Sequence, residues 1–278
     1  MKLSKQYGVS LDLINGIKKE NQIVCRYIPL NLEDPASYMT FLNRLSHITE
    51  KIRLTDDSEI IQSAVAIPFL NLLPYKELAF FKIFSWNKSV YGYDGNYEDF
   101  TKILDTSEFL NMHKKITGNY ENTPSSEIWT FHTTDTIIRL ISYHHEMKHF
   151  GFSEFPLFLC EQLLELINRL QEWTEKGTKG PEQVPFKLYV SEIDTGNTFV
   201  IFKIAGQVSC LVRQFTLNGF YITDDLFCHE AENWLSNLAQ RAVLISGASE
   251  IERFKFFTGQ RQKIEFLIEK IKGDLEGF

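Results

Sequence analysis

At Gly177-Thr178-Lys179-Gly180-Pro181 the apolar residues of this chain change period, and that change constrains the fold more than any other feature. Upstream, residues 153–176 carry Phe155, Phe158, Leu159, Leu163, Leu166, Ile167, Leu170 and Trp173 at three- and four-residue spacing, one apolar stripe of an amphipathic helix. Ser153 stands as its N-cap and Gly177 just past its end. Downstream, FKLYVSEI, TFVIFKIA, VSCLVRQFTL and FYIT are β-branched and aromatic runs separated by Asp194-Thr195-Gly196-Asn197, Gly206-Gln207 and Asn218-Gly219. Those separators suit hairpin turns that need positive φ, so the spacing predicts an antiparallel meander.

The Gly177–Pro181 stretch is therefore the best linker candidate. Before it, Asp34-Pro35 reads as an N-cap with Pro at the first helical position, opening a helix through about Arg53. Further helices are expected over 58–73, 74–90, 97–104, 107–116 and 134–149. After the meander, Asp224 or Asp225 caps a helix to about Ser246, and Ser249 with Glu252 three residues on forms a capping box for the last helix. The expectation is an α+β fold that is mostly helical. It has a helix-turn-helix-like segment at 1–30, an all-helical body at 34–177, and an α+β region at 184–278 holding the meander and C-terminal helices.

With 278 residues, 44% of them hydrophobic, the chain can bury a large core. No run reaches the ~18 apolar residues of a membrane span, and MKLSKQYGVSLDL lacks the apolar core of a signal peptide. Cys25, Cys160, Cys210 and Cys228 are scattered without a CxxC pair, which suits reduced thiols in a cytoplasmic protein.

Two motifs point toward catalysis. His145-Glu146-Met147-Lys148-His149 matches H-E-x-x-H, which on a helix sets two imidazoles on one face for zinc with a carboxylate between them as general base. Lys148 places a cation beside that metal, no third His follows, and neither Glu161 nor Glu165 is marked as a further ligand. A polar helix face is the better reading. Asp194-Thr195-Gly196 is the triplet of aspartic peptidases, which need two such loops to share a proton. One copy followed by Asn197 between two strand-like runs is a hairpin turn. Asp56-Asp57 and Asp224-Asp225 read as helix caps. The chain thus reads as a non-enzyme, without a cofactor, catalytic residues or a metal site. A zinc hydrolase at His145, Glu146 and His149 is a minor alternative.

Net charge is −7, yet from Met1 to Tyr27 five basic residues face two acidic ones, a local +3. A basic element on an acidic body can still meet DNA, because the local field decides. Residues 2–19, KLSKQYGVSLDLINGIKK, follow the helix-turn-helix pattern: Ser4 where two helices meet, Gly8 for the turn, Val9 as the plug, Ile14 and Ile17 beneath the second helix. In that register Ser10, Leu11, Asn15 and Lys18 face DNA, with Lys19 near the phosphates.

Leu3, Gly8, Val9, Ser10, Leu11, Asp12, Leu13 and Gly16 resemble the end of a Cro-like (XRE) helix-turn-helix repressor domain. That resemblance covers under a tenth of the chain and implies that the DNA-reading helix lies upstream of this point. SSEIWTFHT, PFKLYVSEIDTGNTF and LISGASEIERFKFF are similar to effector regions of Bacteroidetes regulators of that type. The function this implies is a DNA-binding transcriptional regulator acting as a homodimer, with a small-molecule effector. A ligand-sensing or protein-interaction protein without DNA contact is the alternative.

Overall fold

The computed structural model describes residues 25–28, 35–64, 107–130, 133, 155–193, 198–213 and 219–276. Among them run, in chain order, β1 (Cys25–Ile28), α1 (Pro35–Arg53), β2 (Ser58–Ala64), α2 (Ser107–Glu121), β3 (Ser125–Thr130), α3 (Phe155–Lys176), β4 (Thr178–Lys179) and β5 (Val184–Ser191). There follow β6 (Thr198–Ile204), β7 (Gln207–Arg213), β8 (Gly219–Ile222), α4 (Asp225–Arg241), β9 (Val243–Leu244) and α5 (Glu250–Glu276). A single 3-10 turn, Ile245–Gly247, joins β9 to α5.

The mostly helical body expected from sequence is overturned. The strands form one mixed sheet in the order β1-β8-β7-β6-β2-β3-β5-β4, with β9 also on β5. Strands β2, β3 and β5 are parallel neighbours, while β6, β7, β8 and β1 continue the sheet antiparallel from β2. Parallel neighbours need long crossovers, which α2 and α3 help to supply. The helix expected from residue 58 is instead β2, and part of the N-terminal segment, Cys25–Ile28, is a strand. In β2, Ile60 and Ile61 are buried on opposite faces, so the run lacks the one-sided alternation of a half-exposed strand and imitates a short helix.

Each face carries its own core. Ile60, Trp129, Phe186, Leu188 and Phe202 pack under helices α1, α2, α3 and α5, through residues such as Ile52, Ile116, Leu170 and Ile264. Ile61, Ile128, Ile201 and Cys210 meet Cys228, Ala231, Leu235 and Leu238 of α4 on the other face. Lys203 of β6 ties that layer down, 2.5 Å from Glu232 of α4 and 3.5 Å from Glu59 of β2.

Local chemistry places the elements. Helix α1 starts at Pro35 and ends at Arg53, as expected. Asp224 caps α4 by accepting from the Phe227 N–H at 2.8 Å. Ser249 and Glu252 satisfy each other's amides at 3.3 and 2.9 Å in the capping box. Ala205 and Gly206, at φ +49° and +77°, make the two-residue turn between β6 and β7. Asp56 and Asp57 are not helix caps: both lie between α1 and β2, where the Asp57 carbonyl accepts from the Ala205 N–H. The run FKLYVSEI leaves the meander, because β5 pairs with β3 rather than with β6. Among the described residues no helix is long and apolar enough to cross a membrane.

Candidate functional site

Strand β3 is flanked by β2 and β5, and at its midpoint stands Glu127, a carboxyl with 0% exposure. Because side chains alternate, Glu127 shares the helix-covered face with Ser125 and Trp129. Gln62 lies directly opposite on β2, and its Nε2 donates to Glu127 Oε1 at 2.5 Å. The Tyr120 hydroxyl, from the last turn of α2, donates to the same oxygen and lies 3.3 Å from Ser125 Oγ. Glu127 Oε2 has no hydrogen-bond partner among the described residues.

Lys179 completes the group with 1% exposure. Its Nζ sits 3.3 Å above the centroid of the Tyr120 ring and 5.9 Å from that of Phe186, and finds no hydrogen-bond partner among the described residues. Ring faces carry the partial negative charge that suits an ammonium. The neighbouring backbone drives the side chain inward. Gly177 and Gly180 flank β4 with φ near +67° and +68°, and Gln183 takes φ +55°. A Cβ on Gly180 would lie 2.3 Å from the carbonyl oxygen of Glu121, so only glycine lets this hairpin seat on the end of α2 beside Tyr120.

The energetics follow from burial. Loss of water pushes the Glu127 carboxyl up to about 7, against the opposing pull of the Tyr120 hydrogen bond, the Lys179 charge and the Gln62 amide. Loss of water likewise brings the Lys179 amine down to about 7, opposed by Glu127 and Glu121. The Tyr120 phenol is raised well above its ordinary value, first by burial and then by the neighbouring carboxylate. An acid and an amine that titrate together behave as a coupled pair. Both groups are closed off from solvent, and that burial is what moves each toward its neutral form.

The sequence reading missed this group. Its signals were a Glu inside the apolar run SEIWT and a Lys between two glycines in a segment read as a linker. Strands from both sides of that segment share the sheet. The expected DNA-facing residues Ser10, Leu11, Asn15, Lys18 and Lys19 lie outside the described residues, as do His145, Glu146, His149 and Asp194-Thr195-Gly196. Glu161 and Glu165 are exposed on α3. No cluster of three or more His, Cys, Asp or Glu able to hold a metal occurs among the described residues.

In comparisons with known proteins, no family model, no curated protein and no solved structure matched the chain.

Proposed function

We propose that this chain is a cytoplasmic DNA-binding transcriptional regulator, a non-enzyme in which residues 2–19 are a helix-turn-helix or its final part and the sheet-based body serves dimerisation and effector sensing. One observation carries the reading. A segment of local charge +3 with the Ser4, Gly8, Val9, Ile14, Ile17 pattern opens a chain of net charge −7. One reading helix contacts few base edges, and two half-sites multiply specificity, so a homodimer belongs to the same reading.

Binding to genomic DNA fragments across a salt series tests it. Affinity falls with rising salt as displaced counterions dominate, and Lys18→Ala with Lys19→Ala flattens the slope by about one or two contacts. A chain with its whole N-terminal region that shows no salt-sensitive binding removes the reading.

The Glu127–Lys179 group favours a second reading, a ligand-sensing protein without DNA contact, because a fully buried acid and amine, with Glu127 Oε2 and Lys179 Nζ lacking hydrogen-bond partners among the described residues, are costly to keep as plain core. Under that reading the Lys18 and Lys19 changes leave DNA retention unchanged and small.

A further inference from the structure

The buried end of Lys179 has the surroundings of a bound ammonium. Its Nζ lies 3.3 Å from the centre of the Tyr120 ring and 5.9 Å from that of Phe186, and the edge of Trp173 fixes the Phe186 ring, with centroids 5.6 Å apart. Aromatic faces beside a carboxylate, here Glu127, are the chemistry that recognises organic cations. Yet Lys179 fills these surroundings imperfectly. Its Nζ donates to nothing and Glu127 Oε2 accepts from nothing among the described residues, although both are buried in one cluster. The tether explains the misfit: Lys179 enters from β4, and its backbone holds the amine over the ring rather than against Oε2. An amine free of that tether can shift along the ring and make the hydrogen bond that Lys179 leaves unmade.

The segment that carries Lys179 is built to move as one piece. Strand β4 joins its neighbour through two register pairs, Thr178 with Pro185 and Lys179 with Val184, and Pro185 has no N–H to donate. Gln183 closes the hairpin at φ +55°, a left-handed backbone that costs a side-chain-bearing residue free energy. Its side chain accepts from the Thr178 hydroxyl at 2.9 Å and donates to the Gly180 carbonyl at 3.1 Å, which ties residues 178–183 to one another.

We propose that Tyr120, Phe186 and Glu127 form a site for a small primary alkylamine, filled from within by Lys179, and that such an amine takes the place of Lys179 when the β4 hairpin lifts. This rests on the effector-sensing reading of the body and names the effector's class.

The probe is n-propylamine, which carries the three carbons and the amine that Lys179→Ala removes. In the full chain with Lys179→Ala it raises the melting temperature saturably, whereas n-propanol and salt at equal concentration do not. Adding Glu127→Gln weakens the apparent affinity roughly 10- to 100-fold, because a charge-assisted hydrogen bond is lost. Lys179→Met fills the same space with an apolar chain and shows no amine-specific rise. Where Lys179→Ala is unfolded in buffer, the amine restores its native dichroism. A Lys179→Ala chain that the amine neither folds nor stabilises beyond the propanol control overturns the site, and so does an equal response from Lys179→Met. In the native chain the amine, and not propanol, quickens hydrogen exchange at Thr178, Lys179, Gly180 and Gln183; unchanged exchange there overturns the displacement. Retention on DNA is measured on the same samples. Amine binding without DNA retention keeps this site and removes the regulator, while DNA retention without an amine response does the reverse.

Discussion

Lys179 and Glu127 are the two residues whose burial most needs explaining, because each carries a group that water would stabilise far better in its charged form. Linkage turns that into a pH profile. Glu127 titrates higher in the fold, near 7, than in the unfolded chain, near 4.5. Its contribution to stability is full below about 4.5 and declines as pH rises toward 7. Lys179 titrates lower in the fold, near 7, than in the unfolded chain, near 10.5. Its contribution is full above about 10.5 and declines as pH falls toward 7. Near neutrality the pair therefore weighs most heavily on the fold. Lys179→Met keeps the side-chain length and removes the amine, so the variant gains stability on the native chain as pH falls from about 10 to 7. Glu127→Gln keeps an acceptor for Tyr120 and removes the charge, so that variant gains as pH rises from about 5 to 7. Urea unfolding across those pH values checks both, and parallel profiles for native and variant chains would show that neither group is shifted.

At the scale of elements, the hairpin that carries Lys179 makes a sharper demand on sequence than the helices do. Gly177 and Gly180 share the same left-handed backbone, but a Cβ on Gly177 meets nothing within 4 Å whereas one on Gly180 strikes the Glu121 carbonyl. Gly177→Ala is accordingly expected to cost about 1 kcal/mol from backbone strain alone, and Gly180→Ala roughly 2–4 kcal/mol from strain plus overlap. Denaturation midpoints for the two variants check the ratio; equal losses would mean the hairpin does not seat on α2. Ser249→Ala, which removes half of the capping box, costs about 1 kcal/mol. These elements also show what could be seen in the chain beforehand. Caps are local chemistry, so Asp34-Pro35, Asp224 and Ser249 with Glu252 marked three helix starts. A long helix with one buried face has a period, so α3 was evident from Leu163, Leu166, Ile167 and Leu170. Strand β2 was hidden because burial on both faces erases period 2, and its Ser58-Glu59 start imitates a helix cap. The Glu127–Lys179 pairing was hidden for another reason: the two residues are 52 positions apart and meet only when β3, β5 and the end of α2 are assembled.

For the whole molecule the question is whether the chain behaves as one cooperative unit across Gly177–Pro181. The larger core draws Leu42, Ile52, Ile116 and Trp129 from before that stretch and Phe186, Phe202 and Ile264 from after it. The sheet likewise places β2 and β3 between β6 and β5. Neither part can keep its buried surface if the other unfolds. Burial makes the thiols a probe of this. Cys160 lies in the helix-covered core, Cys210 and Cys228 in the core under α4, and all three are free and buried. Loss of water pushes the Cys160 and Cys210 thiols up to about 12 and the Cys228 thiol up to about 11, so in the folded chain these three offer almost no thiolate at neutral pH. Labelling at each position thus waits on unfolding around it. Followed residue by residue by mass spectrometry along a urea gradient, the three cysteines are expected to become reactive at one common midpoint. That midpoint should match the loss of helical dichroism, because the two cores face each other through a single sheet. Cys160 reacting at a lower urea concentration than Cys210 and Cys228 would show that the α3 side opens alone, and the shared sheet would then not couple the two layers.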